Sequence, residues 1–403
     1  MTLIIGGVFI MKKDGKFLTS ISVGVATVWF STHCGAGFAS GTQELQYFAN
    51  HGWFGVFLPI LTFIIIAVTY YVALETARQT DRWSYDAWSK EAYGGLSKVL
   101  TPALDISVII TTIAATAATI ATGGLLGKQY LGLPVFVGSL LMFVIITLLV
   151  IFGENVVRKN AMAMTAVILI IVSIVLVAGL IKFAPQISKL MSERYVNPNA
   201  TKWSISGGDK TVPGNFGNAL MWALTYAGFQ VAAIGGITSS FKGGLYKKEA
   251  KGAMILGAIM NIIMLVGICL LIFSGMPDIY TDQAARTLPT IYIVNQLHIK
   301  SLAVLYPILL FLALITTAVG FVFGMVQRID PYVMKDTKKP LLKKSIISVL
   351  VLGVCYAVSK LGLMVIVTTA YRYLGIVNWF IIILPLWIIG FKKIKERDNQ
   401  SLK

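Results

Sequence analysis

Two short runs of small residues interrupt segments that are otherwise apolar: HCGAGFASG, from His33 to Gly41, and YAGF, from Tyr226 to Phe229. A helix that comes apart inside a bilayer leaves N–H and C=O groups without water, at several kcal/mol each, so it persists only where protein or ligand satisfies them. The freed N–H groups at a half-helix N-terminus suit an anionic group, and the freed carbonyls suit a cation. On this reading Gly35, Ala36, Gly37 and Phe38 offer N–H groups to a carboxylate. The carbonyls of Tyr226, Ala227 and Gly228, with Phe229 beside them, offer the complementary site for an amine. Each run taken alone has a second reading, since small residues also let membrane helices kink or pack closely.

Other chemistry finds little support. Cys34, Cys269 and Cys355 fall in apolar segments without metal-ligand spacing, and His33, His51 and His298 are scattered. No disulfide, transition-metal site or resident cofactor is expected. No HExxH motif or nucleophile with a base in reach occurs within the apolar segments, so an enzyme is not expected.

The elements that must position the two runs are membrane helices. Of the 403 residues 57% are hydrophobic and 13% charged, with a mean hydropathy of +0.79. The apolar runs match the roughly 20 residues that cross about 30 Å of hydrocarbon. They predict an all-α integral membrane protein with ten helices, at about 17–49, 52–77, 97–127, 133–153, 157–183, 215–241, 248–275, 300–327, 342–360 and 364–391. The net charge of +17 does not imply nucleic acid, because most of the Lys and Arg residues fall in alternate loops. Under the positive-inside rule those loops and both termini are cytoplasmic, and the chain sits in the cell membrane. The opening MTLIIGGVFIMKKDGK is too short an apolar stretch for a cleaved signal peptide and reads as a cytoplasmic tail. Lys360 and Arg372 read as helix-end residues.

The polar interval 184–214 is expected to be an extracellular loop dividing one transmembrane domain, 1–403, into repeats at 17–183 and 215–391. With five helices in each, the second repeat crosses the membrane inverted, and both open on an interrupted helix. Paired interruptions at matching places mark the binding site of a secondary transporter. A channel would instead need a pore lined by rings of like groups. In the third helix Asp105, Thr112, Thr116, Thr119 and Gly123 share one face, either as a wall of that site or as a packing surface. Asp105 lies about two turns from the inner end and is the first candidate should protons drive transport. Glu44 reads as a water-facing residue beyond the first break. Trp222, Tyr226, Phe229 and Phe321 are aromatic candidates for a lid.

With these residues in view, the chain resembles the amino acid–polyamine–cation superfamily, with the fold of the bacterial neurotransmitter:sodium symporter homologues. More narrowly it resembles the YkvI-type membrane proteins of Gram-positive bacteria, whose first helix carries a similar GAGFASG. The resemblance implies discontinuous first and sixth helices, the sixth unwinding at Gly228 and Phe229. It implies a substrate held between helices one, three, six and eight, with Thr112 and Thr116 on one wall. It also implies a sodium site from the carbonyls of His33, Ala36 and Ala313 and the hydroxyls of Thr316 and Thr317. Neutral oxygens suit a hard cation. Read without the resemblance, the two Thr hydroxyls bond back to carbonyls of their own helix equally well. Proton-coupled relatives carry a Lys in the fifth helix, where this chain has no ionisable group from Ala161 to Leu180. Cys34 and Ser40 replace the Asn residues of the symporters' other sodium site. Glu75 matches a Glu that accepts hydrogen bonds from the unwound part of helix six, a structural or gating role shared with Asp105.

The expected function is therefore a cation-coupled secondary transporter, with Na⁺ as coupling ion and an amino acid or similar amine-bearing solute as cargo, working by alternating access. A proton-coupled carrier of the same fold and a ligand-sensing membrane protein that does not transport are the alternatives.

Overall fold

The computed structural model describes residues 16–33, 36–207, 210–244, 246–334 and 339–400. Cys34, Gly35 and most of the expected cytoplasmic tail lie outside them. Nine helices among the described residues are long and apolar enough to cross a membrane. They correspond to the second through tenth expected spans. The first expected span is instead three helices, Ser20–His33, Ala36–Ser40 and Thr42–Tyr47. A bend falls at Gly41, whose φ of +80° favours glycine and whose missing side chain leaves room for Thr290.

The remaining spans are numbered by order in the chain. Span 2 is Leu58–Thr80, span 3 Ser97–Leu131, span 4 Val135–Leu148 and span 5 Glu154–Ser192. Span 6 is Phe216–Gln230 continued by Ile234–Ser240, span 7 Lys247–Ser274 and span 8 Lys300–Ile329. Span 9 is Pro340–Ser359 and span 10 Leu363–Gln400. Span 5 continues past its expected end, so the interval taken for a loop from 184 begins as helix. The rest of that interval holds a two-stranded hairpin, Ala200–Thr201 with Thr211–Val212. Polar helix formers extend a helix into water once its apolar part has cleared the bilayer.

Two features lay outside the expectation. A short helix, Tyr85–Tyr93, follows span 2, and three more, Asp278–Thr281, Gln283–Thr287 and Pro289–Gln296, join spans 7 and 8. The second group carries capping signals: Asp282 accepts from the Ala284 and Ala285 N–H groups, and Pro289 opens the last helix.

Span 10 is repeatedly π-helical, including Ile366–Ala370 and Trp379–Ile383. In each of these turns a tyrosine from elsewhere takes up a carbonyl: Tyr47 donates to Val367 O at 2.8 Å, and Tyr93 to Ile381 O at 2.9 Å. Both ends of the described chain share one face. Phe17 backs onto Gly252 of span 7, Lys247 pairs with Asp398, and the Arg397 guanidinium donates to Glu91 O at 3.2 Å. This basic face carries the Tyr85–Tyr93 helix, and the hairpin lies on the opposite face.

Candidate functional site

Where the interrupted spans 1 and 6 meet spans 3, 8 and 10, a cavity of about 70 Å³ opens inside the bundle. Span 1 brings Thr32, His33, Gly37 and Gln43 to its wall, and span 3 brings Val108, Thr111, Thr112, Ala115 and Thr119. Span 6 adds Phe229, Gln230, Ala232 and Ala233, span 8 Thr317 and Phe321, and span 10 Tyr371. The wall mixes hydroxyl, amide and imidazole groups with aromatic and small aliphatic side chains, and none of these residues is a carboxylate or a Lys or Arg. Two buried polar atoms on it, Thr111 Oγ1 and His33 Nε2, have no hydrogen-bond partner. A buried polar group without a partner costs about 1–3 kcal/mol, so these two atoms favour anything in the cavity that bonds them.

His33 illustrates how the local sequence sets the chemistry. Trp29, one turn earlier on the same face, donates its indole N–H to His33 Nδ1 at 3.2 Å. In a neutral imidazole that leaves the proton on Nε2, a donor at the cavity. From the sequence His33 has only a carbonyl role; the Trp-x-x-x-His spacing was the available signal for the ring.

The structure brings His33, Gly37, Thr112, Phe229 and Thr317 together around one cavity. Ala36 belongs to the short helix Ala36–Ser40, which packs on span 8. Thr317 faces the cavity. Thr316 bonds back along its own helix, to Leu312 O at 3.1 Å and Ala313 O at 3.0 Å. Ala313, Phe38, Thr116 and Tyr226 are buried off the cavity wall, as is Ala227. Among the described residues no group of three or more His, Cys, Asp or Glu is placed to hold a metal ion.

Four sequence expectations are corrected. Span 6 does not unwind at Gly228 and Phe229: it stays α-helical through Gln230, and the interruption is a 3₁₀ turn at Val231–Ala233. Gly228 serves close packing instead, because a side chain there would overlap the Gly375 carbonyl of span 10. Glu75 does not reach span 6. Its carboxylate takes Arg78 Nε at 2.8 Å and Nη2 at 2.6 Å, and Gln79 bridges it to Asp398. Span 2 supports the span 6 interruption through Tyr70, whose hydroxyl donates to Gln230 O at 2.9 Å. Tyr70→Phe is expected to leave that buried carbonyl unpaired and lower stability by about 1–3 kcal/mol in detergent melts; an unchanged midpoint would mean the carbonyl is otherwise satisfied. Glu44 is not water-facing: it is 0% exposed, under span 7 and the Pro289–Gln296 helix, and neither carboxylate oxygen has a partner. Arg372, taken for a helix-end residue, is 3% exposed within span 10.

The two sides of the cavity are closed differently. Away from the basic face lies an aromatic layer. Tyr47 meets Trp222 at 5.2 Å and Tyr226 at 5.4 Å between ring centres, and Phe229 stacks on Tyr371 at 3.9 Å. Toward the basic face, Asp105 of span 3 pairs with Arg328 of span 8 and accepts from Tyr85 OH at 2.6 Å. Arg328 also lies over the Tyr85 ring, 5.0 Å from its centre. Asp105 thus ties two spans and the short helix together, and it is not on the cavity wall.

No protein-family model matches the sequence. The chain is similar to the uncharacterized membrane protein YkvI of Bacillus subtilis strain 168, with 21% identity over 362 residues, covering 88% of this chain and 92% of that protein. Among solved structures, a Na⁺-coupled sialic acid symporter in a substrate-bound outward-open state aligns with a TM-score of 0.57 at 15% identity. That alignment covers 92% of this chain and 79% of the symporter. A histidine-to-alanine mutant of the Eremococcus coleocola manganese transporter aligns with a TM-score of 0.54 at 12% identity, over 97% of this chain and 88% of that one. At such identities the likeness establishes the fold: this chain is an all-α, multi-pass membrane protein with the architecture of those transporters.

Proposed function

We propose that the chain is a cation-coupled secondary transporter, driven by Na⁺, that moves an amino acid or similar small amine-bearing solute by alternating access. The observation that carries this reading is the cavity itself, formed where two interrupted spans meet and lined by neutral polar groups with unpartnered atoms. A cavity of about 70 Å³ has room for a solute of only a few non-hydrogen atoms. That is the size of a small zwitterion. The His33 Nε2–H and the N–H groups of the span 1 break would meet its carboxylate, and the carbonyls around the span 6 turn its amine. Na⁺ would sit between the span 1 break and span 8, with Thr317 and Thr316 supplying hydroxyl oxygens beside Ala313. The sodium-coupled structural neighbour supports this coupling. A divalent metal cargo, as in the manganese transporter, fits less well with a wall that offers one His and no Asp, Glu or Cys among the described residues.

Under this reading the basic face is cytoplasmic, and the Asp105–Arg328–Tyr85 clamp closes the inner path. Uptake of labelled amino acids into proteoliposomes is expected under an inward Na⁺ gradient and not when K⁺ replaces Na⁺. Thr316→Ala with Thr317→Ala is expected to abolish Na⁺-dependent thermal stabilisation of the purified protein. Equal uptake in Na⁺ and K⁺, or an unchanged sodium shift in the double variant, would overturn the sodium reading.

A further inference from the structure

A second cavity, of about 160 Å³, lies on the far side of the aromatic layer from the first. Its wall includes Thr201 of the hairpin, Trp222 of span 6, Arg286 of the Gln283–Thr287 helix, and Thr368, Thr369 and Arg372 of span 10. Two arginines therefore line one cavity. Among the described residues neither has a carboxylate within ion-pair distance, and the buried Nε of each lacks a hydrogen-bond partner.

Each guanidinium has one aromatic ring against it. Arg286 lies over the Tyr280 ring at 4.5 Å, and Arg372 over Tyr373 at 5.0 Å. What remains uncommitted is the donor edge, the side of a guanidinium that matches two oxygens on one centre. The other polar groups of the wall are partly engaged: the Trp222 indole donates to Thr201 O at 3.0 Å, and Thr368 to Met364 O at 2.9 Å. Desolvating one positive charge is costly, and a second charge lining the same cavity adds repulsion, so negative charge held between them stabilises the arrangement. By the room one water needs, the cavity holds on the order of ten non-hydrogen atoms, more than a halide requires.

We propose that this cavity is an oxyanion site that takes a carboxylate between Arg286 and Arg372. Its position gives it a use. Tyr371, the residue before Arg372, lines the central cavity and stacks on Phe229, so adjacent residues of span 10 face the two cavities across the aromatic layer. A carboxylate-bearing solute would be held here before the layer opens to admit it. This use rests on the transport reading above, whereas the oxyanion site itself does not, and the test measures binding alone.

The full-length protein, purified in detergent in a zwitterionic buffer, is titrated calorimetrically with acetate, phosphate and the neutral isostere acetamide at constant ionic strength. Acetate is expected to bind and acetamide not. Arg372→Gln and Arg286→Gln are each expected to weaken acetate at least tenfold, and the double variant to remove binding. Both single variants should melt no lower than the parent protein in oxyanion-free buffer, because each removes an unpaired charge rather than one half of a pair. Asp209→Asn, outside the described residues, controls for a carboxylate supplied by the chain and should leave affinity within twofold. Acetamide binding as well as acetate, or Gln variants within twofold of the parent, would overturn the site. Acetate binding seen only in Asp209→Asn would assign the cavity to the chain's own carboxylate and overturn it too. Phosphate binding without acetate binding would overturn the carboxylate preference and with it the holding role.

Discussion

Ala115→Phe is expected to abolish solute binding while leaving the protein folded. Ala115 faces the central cavity from the middle of span 3, between Thr111, Thr112 and Thr119 on the same wall. A benzyl group projecting there would occupy most of a space of about 70 Å³, so no solute enters without displacing it. The fold should tolerate it, because the ring fills a void rather than a packed core, and apolar groups that fill voids are stabilising or neutral. The expected result is uptake at background, with solute-dependent thermal stabilisation lost and the solute-free melting point unchanged or raised. Retention of more than about a tenth of the uptake, a difference of roughly 1.4 kcal/mol, would place the solute elsewhere. Collapse of the protein in detergent would show the cavity wall to be tightly packed.

Gly228→Val is expected to have the largest effect on folding. The backbones of spans 6 and 10 approach each other closely at Gly228 and Gly375. A Cβ on Gly228 would overlap the Gly375 carbonyl and come within 2.9 Å of the Trp379 ring, and one on Gly375 would overlap the Thr225 carbonyl. These neighbours are mostly backbone, which cannot turn aside as a flexible side chain does. Separating the spans would also stretch the hydrogen bonds that cross them, from Asn378 Nδ2 to Gly228 O at 2.8 Å and from Trp379 Nε1 to Leu224 O at 2.7 Å. Overpacking of this kind costs about 1–3 kcal/mol, and each crossing bond lost adds about 1 kcal/mol. Thermal unfolding of the purified variant, with yield of monodisperse protein as a second readout, checks it. A melting point within about 1 °C of the parent, by the usual scaling of roughly 2–4 °C per kcal/mol, would show that the spans separate freely.

Both residues show what one segment can and cannot disclose. The interruption at Gly41 was legible because a glycine-rich run, free to take a positive φ, is a property of one segment. The run Ala227–Gly228 has the same composition and a different role. Only the opposing Gly375 distinguishes close approach from unwinding, and it lies far along the chain. Glu44 reads as polar and is buried; Glu75 reads as a partner of span 6 and is tied to Arg78, one turn away on its own helix. In both cases residue type gives the need for a partner without giving the partner. Arg372 carried a usable signal, since a basic residue inside an apolar run of span 10 marks a functional position by default. His33 carried another in its Trp29 neighbour.

The amino-acid sequence by itself determined that this is a multi-span helical membrane protein and that its first span is broken, because span length, hydropathy and local glycine content belong to single segments. It also pointed to five residues, His33, Gly37, Thr112, Phe229 and Thr317, that share one cavity wall. Tertiary structure alone decided which atoms share a space: the Thr111 hydroxyl with the His33 ring, Tyr70 with the span 6 turn, and two arginines from distant segments around one cavity. Those meetings depend on how several helices are placed against one another, and the periodicity of any one helix is the same whichever neighbour it meets.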